Sequence, residues 1–463
     1  MHDVLIDASD TCVPVRLLFD DEMSGLDARG VAWAEASEFK AQAGRLLMLT
    51  DDAGRPERVL FGLGSRAAFD PMTLRGLPIR LPRGDYALEN AGERPAELAL
   101  AWALGSHLFD RYKARPERGR ARLVLPQGVD AAAVRRLAAA CALVREMVDT
   151  APADMGPLQI ETIAREIAAE ASAEITVTTG EALLEANYPA IHAVGRAAAA
   201  HRQPRLIEIG WRLDRTDLPL VSLVGKGVCF DSGGLDIKGA AGMRHMKKDM
   251  GGAAHALALG RLVMQSALPV RLVVLIPAVE NAISADAFRP GDVLKSRKGL
   301  TIEVGNTDAE GRVILSDALA RAGEHEPELT LDFATLTGAA RVALGPEVPP
   351  FYTDDPALAD DLARASVEAF DPLWRMPLWR GYREAVESEI ADLRNDSADW
   401  AQGGSICAAL FLQRFAPESG AWAHFDVMAW NPRTRPGWPM GGEAQGLRAA
   451  FAMLLRRYGQ ASR

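Results

Sequence analysis

The heptad Asn306-Thr307-Asp308-Ala309-Glu310-Gly311-Arg312 places two carboxylates and a guanidinium on a tight turn between an apolar strand-like run and an amphipathic helical stretch. A second acid-bearing loop, Gly225-Lys226-Gly227-Val228-Cys229-Phe230-Asp231-Ser232-Gly233-Gly234, follows the apolar run Leu220 to Val224, and Asp249 precedes the helix-opening Gly251-Gly252. Carboxylates gathered where strands end repel one another unless a cation neutralises them. A pair of divalent metals does this: oxygen-rich ligation suits magnesium, manganese or zinc, and two ions about 3.5–4 Å apart can share carboxylates and clamp a water acidified toward hydroxide. Hydrolysis is the reaction class that this chemistry serves.

Each residue also has a plainer reading. Asp249 could cap the helix that follows it, and Asp308 could hold a turn. Lys226, Lys238 and Arg312 could be charge partners for nearby acids. Three aspartates and Glu310 at successive strand ends are harder to explain one by one, and a lysine beside a scissile carbonyl would stabilise the developing oxyanion more than the ground state. Other hydrolase signatures are missing: there is no G-x-S-x-G elbow and no H-E-x-x-H pair. Gly225-Lys226-Gly227 lacks the upstream glycine and the following Ser or Thr of a phosphate-binding loop.

The elements that must position these residues read as α/β. A chain of 463 residues exceeds what one core normally supports, so two domains are expected. Short strand-like runs (Val59 to Gly62, Arg122 to Leu125) and a helical stretch (Ala96 to Asp110) give a first α/β unit over residues 1–128. A linker helix is expected within 129–155, where Leu137, Cys141, Val144 and Val148 share one face, ending at Thr150-Ala151-Pro152. In the larger domain, 156–463, strands are expected at Leu220 to Val224, Val270 to Ile276, Thr301 to Val304 and Leu329 to Ala334, with helices at Gly251 to Met264 and Arg312 to Ala322. The fold expected is a smaller N-terminal α/β domain joined by a long helix to a larger C-terminal domain with a central mixed sheet flanked by helices. Ligands in such sheets bind beyond the carboxyl ends of strands, and Lys226, Asp231, Asp308 and Thr335 all follow expected strand ends.

Hydrophobic residues make up 48% and charged residues 25%, the balance of ordinary globular proteins. The net charge of −10 opposes broad nucleic-acid binding. Cys12, Cys141, Cys229 and Cys407 lie far apart, which suggests reduced thiols rather than a zinc knuckle or disulfide framework. No run approaches the length of a membrane span and no leader is recognisable, so a cytoplasmic location is the default expectation.

The segments Val224 to Gly227, Phe230 to Gly234, Met246-Lys247-Lys248-Asp249-Met250-Gly251-Gly252-Ala253-Ala254, the Asn306 heptad and Ala334-Thr335-Leu336-Thr337-Gly338-Ala339 closely resemble the leucyl aminopeptidase (cytosol aminopeptidase) family of two-metal exopeptidases. The resemblance covers residues 140 to 450 in the same order, and the first domain matches only in size and coarse pattern. It implies removal of an N-terminal residue, leucine or another neutral or apolar one, from peptides through a metal-bridging hydroxide. It implies that Asp231 and Glu310 bridge two divalent ions (manganese or zinc first, magnesium or cobalt as alternatives), that Asp249 and Lys226 complete the tighter site, and that Asp308 completes the more exchangeable one, partly through its backbone carbonyl. As a ligand Lys226 must be a neutral amine. Lys238 would polarise the peptide carbonyl, and Arg312 would hold a bicarbonate-like anion that relays a proton. Met246, Thr335, Leu336 and Gly338 would bind the first side chain, a thioether beside a glycine-bounded space suiting leucine.

Further implications are a homohexamer and a cytosolic setting. One departure is Gly239, where many relatives have proline after the lysine. Trp422 to Val427 and the run from Arg435 to Gly446 look familial and read as strand and pocket edge, with His424 a packed histidine rather than a ligand. The alternative from a different class is a DNA-binding regulatory member of the same family, for which a basic groove would be the discriminating feature.

Overall fold

The computed structural model describes residues 4–113, 120–397 and 402–459. The chain forms two compact units, Met1–Ala142 with Pro432–Met440, and Leu143–Asn431 with Gly441–Arg463. In the first unit, Leu5–Ile6, Ala121–Val124, Gly84–Leu88, Val13–Phe19, Pro56–Gly64 and Leu46–Thr50 lie in that order in one sheet, parallel except for the final antiparallel pair. Leu18, Phe39, Leu47, Leu49 and Leu60 form a core on it. The run beginning at Arg435 differs from expectation: as far as Met440 it belongs to this unit, and only Gly441–Gly442 is strand, paired with Trp430–Asn431. Trp438 anchors it, its ring 4.3 Å beneath the Arg75 guanidinium, while Arg75 Nε donates to the Gly437 carbonyl.

The long helix α1 spans Ala131–Asp149, inside the range its apolar spacing predicts, and Leu143 onward belongs to the second unit. That unit is built on a nine-stranded sheet. Its strands are β1 (Glu174–Thr179), β2 (Arg205–Trp211), β3 (Leu220–Gly225), β4 (Gly227–Asp231), β5 (Arg271–Asn281), β6 (Leu329–Ala334), β7 (Pro350–Tyr352), β8 (Trp374–Arg375) and β9 (Ala421–Asp426). The order is β8-β7-β9-β6-β3-β5-β2-β1, with β4 also paired to β5. The strands β9, β6, β3 and β5 run parallel, and antiparallel neighbours flank them on both sides.

Every residue of β3, β6 and β9 is buried, so their sequences do not alternate apolar with solvent-facing polar residues, and the polar ones among them, such as Asp332 and His424, are paired inside. Helices α2 (Gly251–Gln265), α3 (Glu310–Gly323), α4 (Gly338–Leu344) and α5 (Gly404–Gln413) belong to the same unit, and α2 and α3 both contact β3 and β5. Expected strand Thr301 to Val304 is real but shorter, Thr301–Glu303, and it joins a separate three-stranded sheet with Val293–Lys295 and Leu393–Arg394. The described helices include none long and apolar enough to cross a membrane.

Candidate metal centre

The parallel strands deliver the chemistry at their carboxyl ends. Lys226 follows β3, Asp231 ends β4, Thr335 follows β6 and Asp426 ends β9. Asp249 comes from a 3-10 turn, Met246–Met250, and Asp308 from another, Thr307–Ala309, directly before α3 opens with Glu310. Glycines make the convergence possible. Gly233 and Gly234 turn the chain at φ +88° and +68°, and a Cβ at Gly311 would strike Lys226 Cε and Nζ at 2.6 Å, so Gly311 is the wall that lets the lysine in.

Carboxylate oxygens of Asp231, Asp308 and Glu310 all come within 4.8 Å of one another. Asp249 joins them across a lysine: Lys226 Nζ is 2.8 Å from Asp249 Oδ2 and 2.9 Å from Glu310 Oε1. Lys238 Nζ is 2.8 Å from Asp231 Oδ2 and also pairs with Asp308. Four carboxylates thus face two ammoniums, and Asp249 Oδ2, Asp308 Oδ1 and both Glu310 oxygens are buried without an aligned hydrogen bond, even where the ammonium is near. Burial first, then the Asp231 charge, pushes the Glu310 carboxyl up to about 8. Burial and the Asp249 charge push Asp231 up to about 6. Burial acts on Asp249 in the same direction, but Lys226 and then Lys248 outweigh it and its pKa falls. Lys226 moves well up despite burial, because Asp249, Glu310 and Asp231 all hold its proton. A surplus of buried negative charge with unpaired oxygens, plus one amine among them, is a donor set that fits two oxygen-seeking dications.

Both plainer readings fail here. The N-cap of α2 is Met250, and Asp249 instead takes a hydrogen bond from Thr335 Oγ1 at 2.8 Å. The turn at Asp308 is held by Asn306, whose Oδ1 accepts from the Asp308 N–H at 2.7 Å. Arg312 is half-buried, its buried Nε has no partner, and among the described residues its guanidinium makes no ion pair; burial lowers its pKa. Met246 is half-buried and Gly338 exposed, while Leu336 packs its side chain on the hydrophobic core and donates its N–H to Asp426. His424 is fully buried with Nδ1 2.5 Å from Asp332 Oδ1, a packed histidine as expected.

Three supporting residues escaped the sequence reading. Asn281, the last residue of β5, donates from Nδ2 to Asp231 Oδ1 and to the Thr307 carbonyl, at 2.8 and 3.1 Å. Asn395 accepts from the Gly305 and Asn306 N–H groups and donates to the Asn306 carbonyl at 2.7 Å, fixing the start of the heptad. Asp426 holds the turn before α4, accepting from the Leu336 and Thr337 N–H groups and from the hydroxyl of Thr337, which itself caps the helix. A polar residue ending the long apolar β5 was the only hint of Asn281, and nothing local marks Asn395.

Residues 142–451 match the model of the cytosol aminopeptidase family catalytic domain, and residues 13–126 match that of the M17 aminopeptidase N-terminal domain. A protein named "Probable cytosol aminopeptidase" from Syntrophotalea carbinolica is 37% identical over 455 residues, covering 91% of this chain and 90% of its own length. The crystal structure of cytosol aminopeptidase from Coxiella burnetii superposes with a TM-score of 0.91 at 44% identity, covering 98% of this chain and 99% of that one. The bottromycin maturation enzyme BotP in complex with Mn superposes at 0.87 with 32% identity, covering 96% and 99%. With family models matching both parts of the sequence, the chain belongs to the cytosol aminopeptidase family of metal-dependent exopeptidases.

Proposed function

We propose that this aminopeptidase hydrolyses the peptide bond behind a free N-terminal residue, water adding across the amide to leave a free amino acid and a peptide one residue shorter. The observation that carries the assignment to these residues is the buried surplus of carboxylate over ammonium, with oxygens left unpaired. In this reading Asp231 and Glu310 would be shared between two divalent ions, Asp249 and Lys226 would help hold one, and Asp308 would help hold the other. When bound, the dications supply Lewis acidity and lower the pKa of the attacking water. Manganese or zinc is favoured, with magnesium and cobalt as alternatives; BotP, a structural relative, is described with manganese.

The chain's own residues do the rest. Lys226 is held charged by Asp249 and Glu310. Once those carboxylates are committed to cations, the influences on its proton reverse and the neutral amine becomes accessible. Lys238, less buried than Lys226, reaches the scissile carbonyl and steadies its oxygen as charge develops. Arg312, half-buried and without an ion pair among the described residues, would hold a bicarbonate-like anion, which would supply a proton acceptor for the attacking water. Asp249 orients the substrate's amino terminus, which confines cleavage to the first bond. Met246, Thr335, Leu336 and Gly338 border the space for leucine or another neutral, apolar side chain. Assembly as a homohexamer in the cytoplasm completes the reading.

The test is hydrolysis of a leucyl amide reporter by metal-stripped protein, with and without added manganese, zinc, magnesium or cobalt. Turnover should vanish on stripping and return with at least one metal, and Asp308→Ala should fold yet lose at least about a hundredfold in turnover. Full turnover after exhaustive chelation, or an unimpaired Asp308→Ala enzyme, would overturn it.

A further inference from the structure

Lys238 is the group assigned to the scissile carbonyl, yet the chain around it has little packing to hold it. No residue from Leu235 to Lys247 is buried, and the short helix Ala240–Met243 that follows the lysine buries no side chain. Gly239, next to Lys238, faces open space: a Cβ there would meet nothing within 4 Å, and glycine adds backbone freedom at that point. The ion pairs of the Lys238 ammonium with Asp231 and Asp308 cannot fix it during turnover, because those carboxylates are the ones proposed to hold cations.

A reciprocal pair of hydrogen bonds ties this loop to the Asn306 heptad. Asp236 Oδ2 accepts from the Thr307 N–H at 2.8 Å, and the Thr307 hydroxyl accepts from the Asp236 N–H at 2.9 Å. The same hydroxyl donates to the Gly233 carbonyl at 2.6 Å. Thr307 is fully buried, and the approach is so close that a Cβ at Gly234 would stand 2.9 Å from its Oγ1. At the base of the loop the Lys238 N–H donates to the Ser232 carbonyl at 3.0 Å, but that closure relates the lysine to Ser232 and not to the heptad. Of the residues between Ser232 and Lys238, only Asp236 has a polar side chain. It therefore fastens the loop, two residues before Lys238, to the residue directly before Asp308. Asp308 and Asp231 have supports of their own in Asn306 and Asn281, so the group that depends on the Asp236 carboxylate is the lysine.

We propose that Asp236 is a positioning residue for the peptidase reaction: its carboxylate latches the Lys238 loop to the heptad and keeps the ammonium beside the carbonyl as charge develops. The inference rests on the function proposed above and deepens it by naming what aims Lys238.

The experiment uses the full-length metal-loaded enzyme and a leucyl amide reporter. Asp236→Ala should lower kcat by at least about tenfold with KM within about threefold, because the lysine it misplaces serves the transition state. Asp236→Asn, which keeps an oxygen for the Thr307 N–H, should stay within about threefold of wild type in both. In a Lys238→Met background, itself slow, Asp236→Ala should cost less than about twofold, since the two residues act as one unit. Two readouts are independent of turnover. Manganese titration of metal-stripped Asp236→Ala should match wild type, while hydrogen exchange over residues 232–247 should be at least about tenfold faster. Wild-type kcat or unchanged exchange in Asp236→Ala, or an equal loss in the Lys238→Met background, would overturn the inference. So would an Asp236→Asn enzyme as slow as Asp236→Ala, or weakened manganese binding in Asp236→Ala, and each of these leaves the aminopeptidase reading standing. Absence of turnover by wild type with every metal would instead sink that reading, and the latch with it.

Discussion

Asp231 can bridge cations only if its carboxylate is held in one orientation, and two hydrogen bonds to Oδ1, from Asn281 and from the Gly233 N–H, do that at 2.8 Å each. Asn281→Ala should therefore weaken metal binding by about 10–100-fold while leaving the circular dichroism spectrum unchanged, because the substitution removes an orienting partner and no ligand. Equal metal affinity in the variant and the wild type would contradict that role. At this scale the acids and lysines were legible, since residue type and loop position together announced them. Their supports were not. Asn281 reaches Asp231 across 50 positions and Asn395 reaches Asn306 across 89, so no local pattern connects them.

The elements carry the residues because their faces are set by burial. The fully buried β3 and β6 were readable as strands from their largely apolar runs, and α2 and α3 as helices, with boundaries within a few residues of those expected; β9, with His424 and Asp426 in it, was read as strand only through the family resemblance. The sheet to which Thr301–Glu303 belongs was not readable, because a three-residue strand with a single buried side chain carries too little pattern to specify its partner. One tie between elements makes a pH prediction. Glu208 on β2 accepts both Nε and Nη2 of Arg321 on α3 at 2.9 Å, and His325 Nε2 lies 2.9 Å away. Burial opposes its charge, but the His325 and Arg321 hydrogen bonds prevail and hold its pKa down to about 2. A depressed carboxylate contributes stability that is present above its unfolded pKa and is lost as pH falls toward the folded one. The upper bound by linkage is about 3 kcal/mol. The stability advantage of wild type over Glu208→Gln in urea unfolding should shrink between about pH 5 and about pH 3. A constant difference across that window would contradict the assignment.

For the molecule as a whole, length and composition supported two α/β units, yet the return of Pro432–Met440 to the first unit was invisible because its anchor, Trp438 beneath Arg75, joins positions far apart in sequence. The net charge of −10 gives no support to the DNA-binding alternative. The proposed homohexamer predicts a single sedimenting species at six times the 49.8 kDa chain, and a stable monomer at micromolar concentration would contradict it. The most direct measurement is calorimetric titration of manganese into metal-stripped protein. Acidic side chains from separate loops that jointly embrace a pair of ions predict saturation at two per chain, reduced in Glu310→Gln. Saturation at one or none, or a Glu310→Gln titration indistinguishable from wild type, would contradict the account.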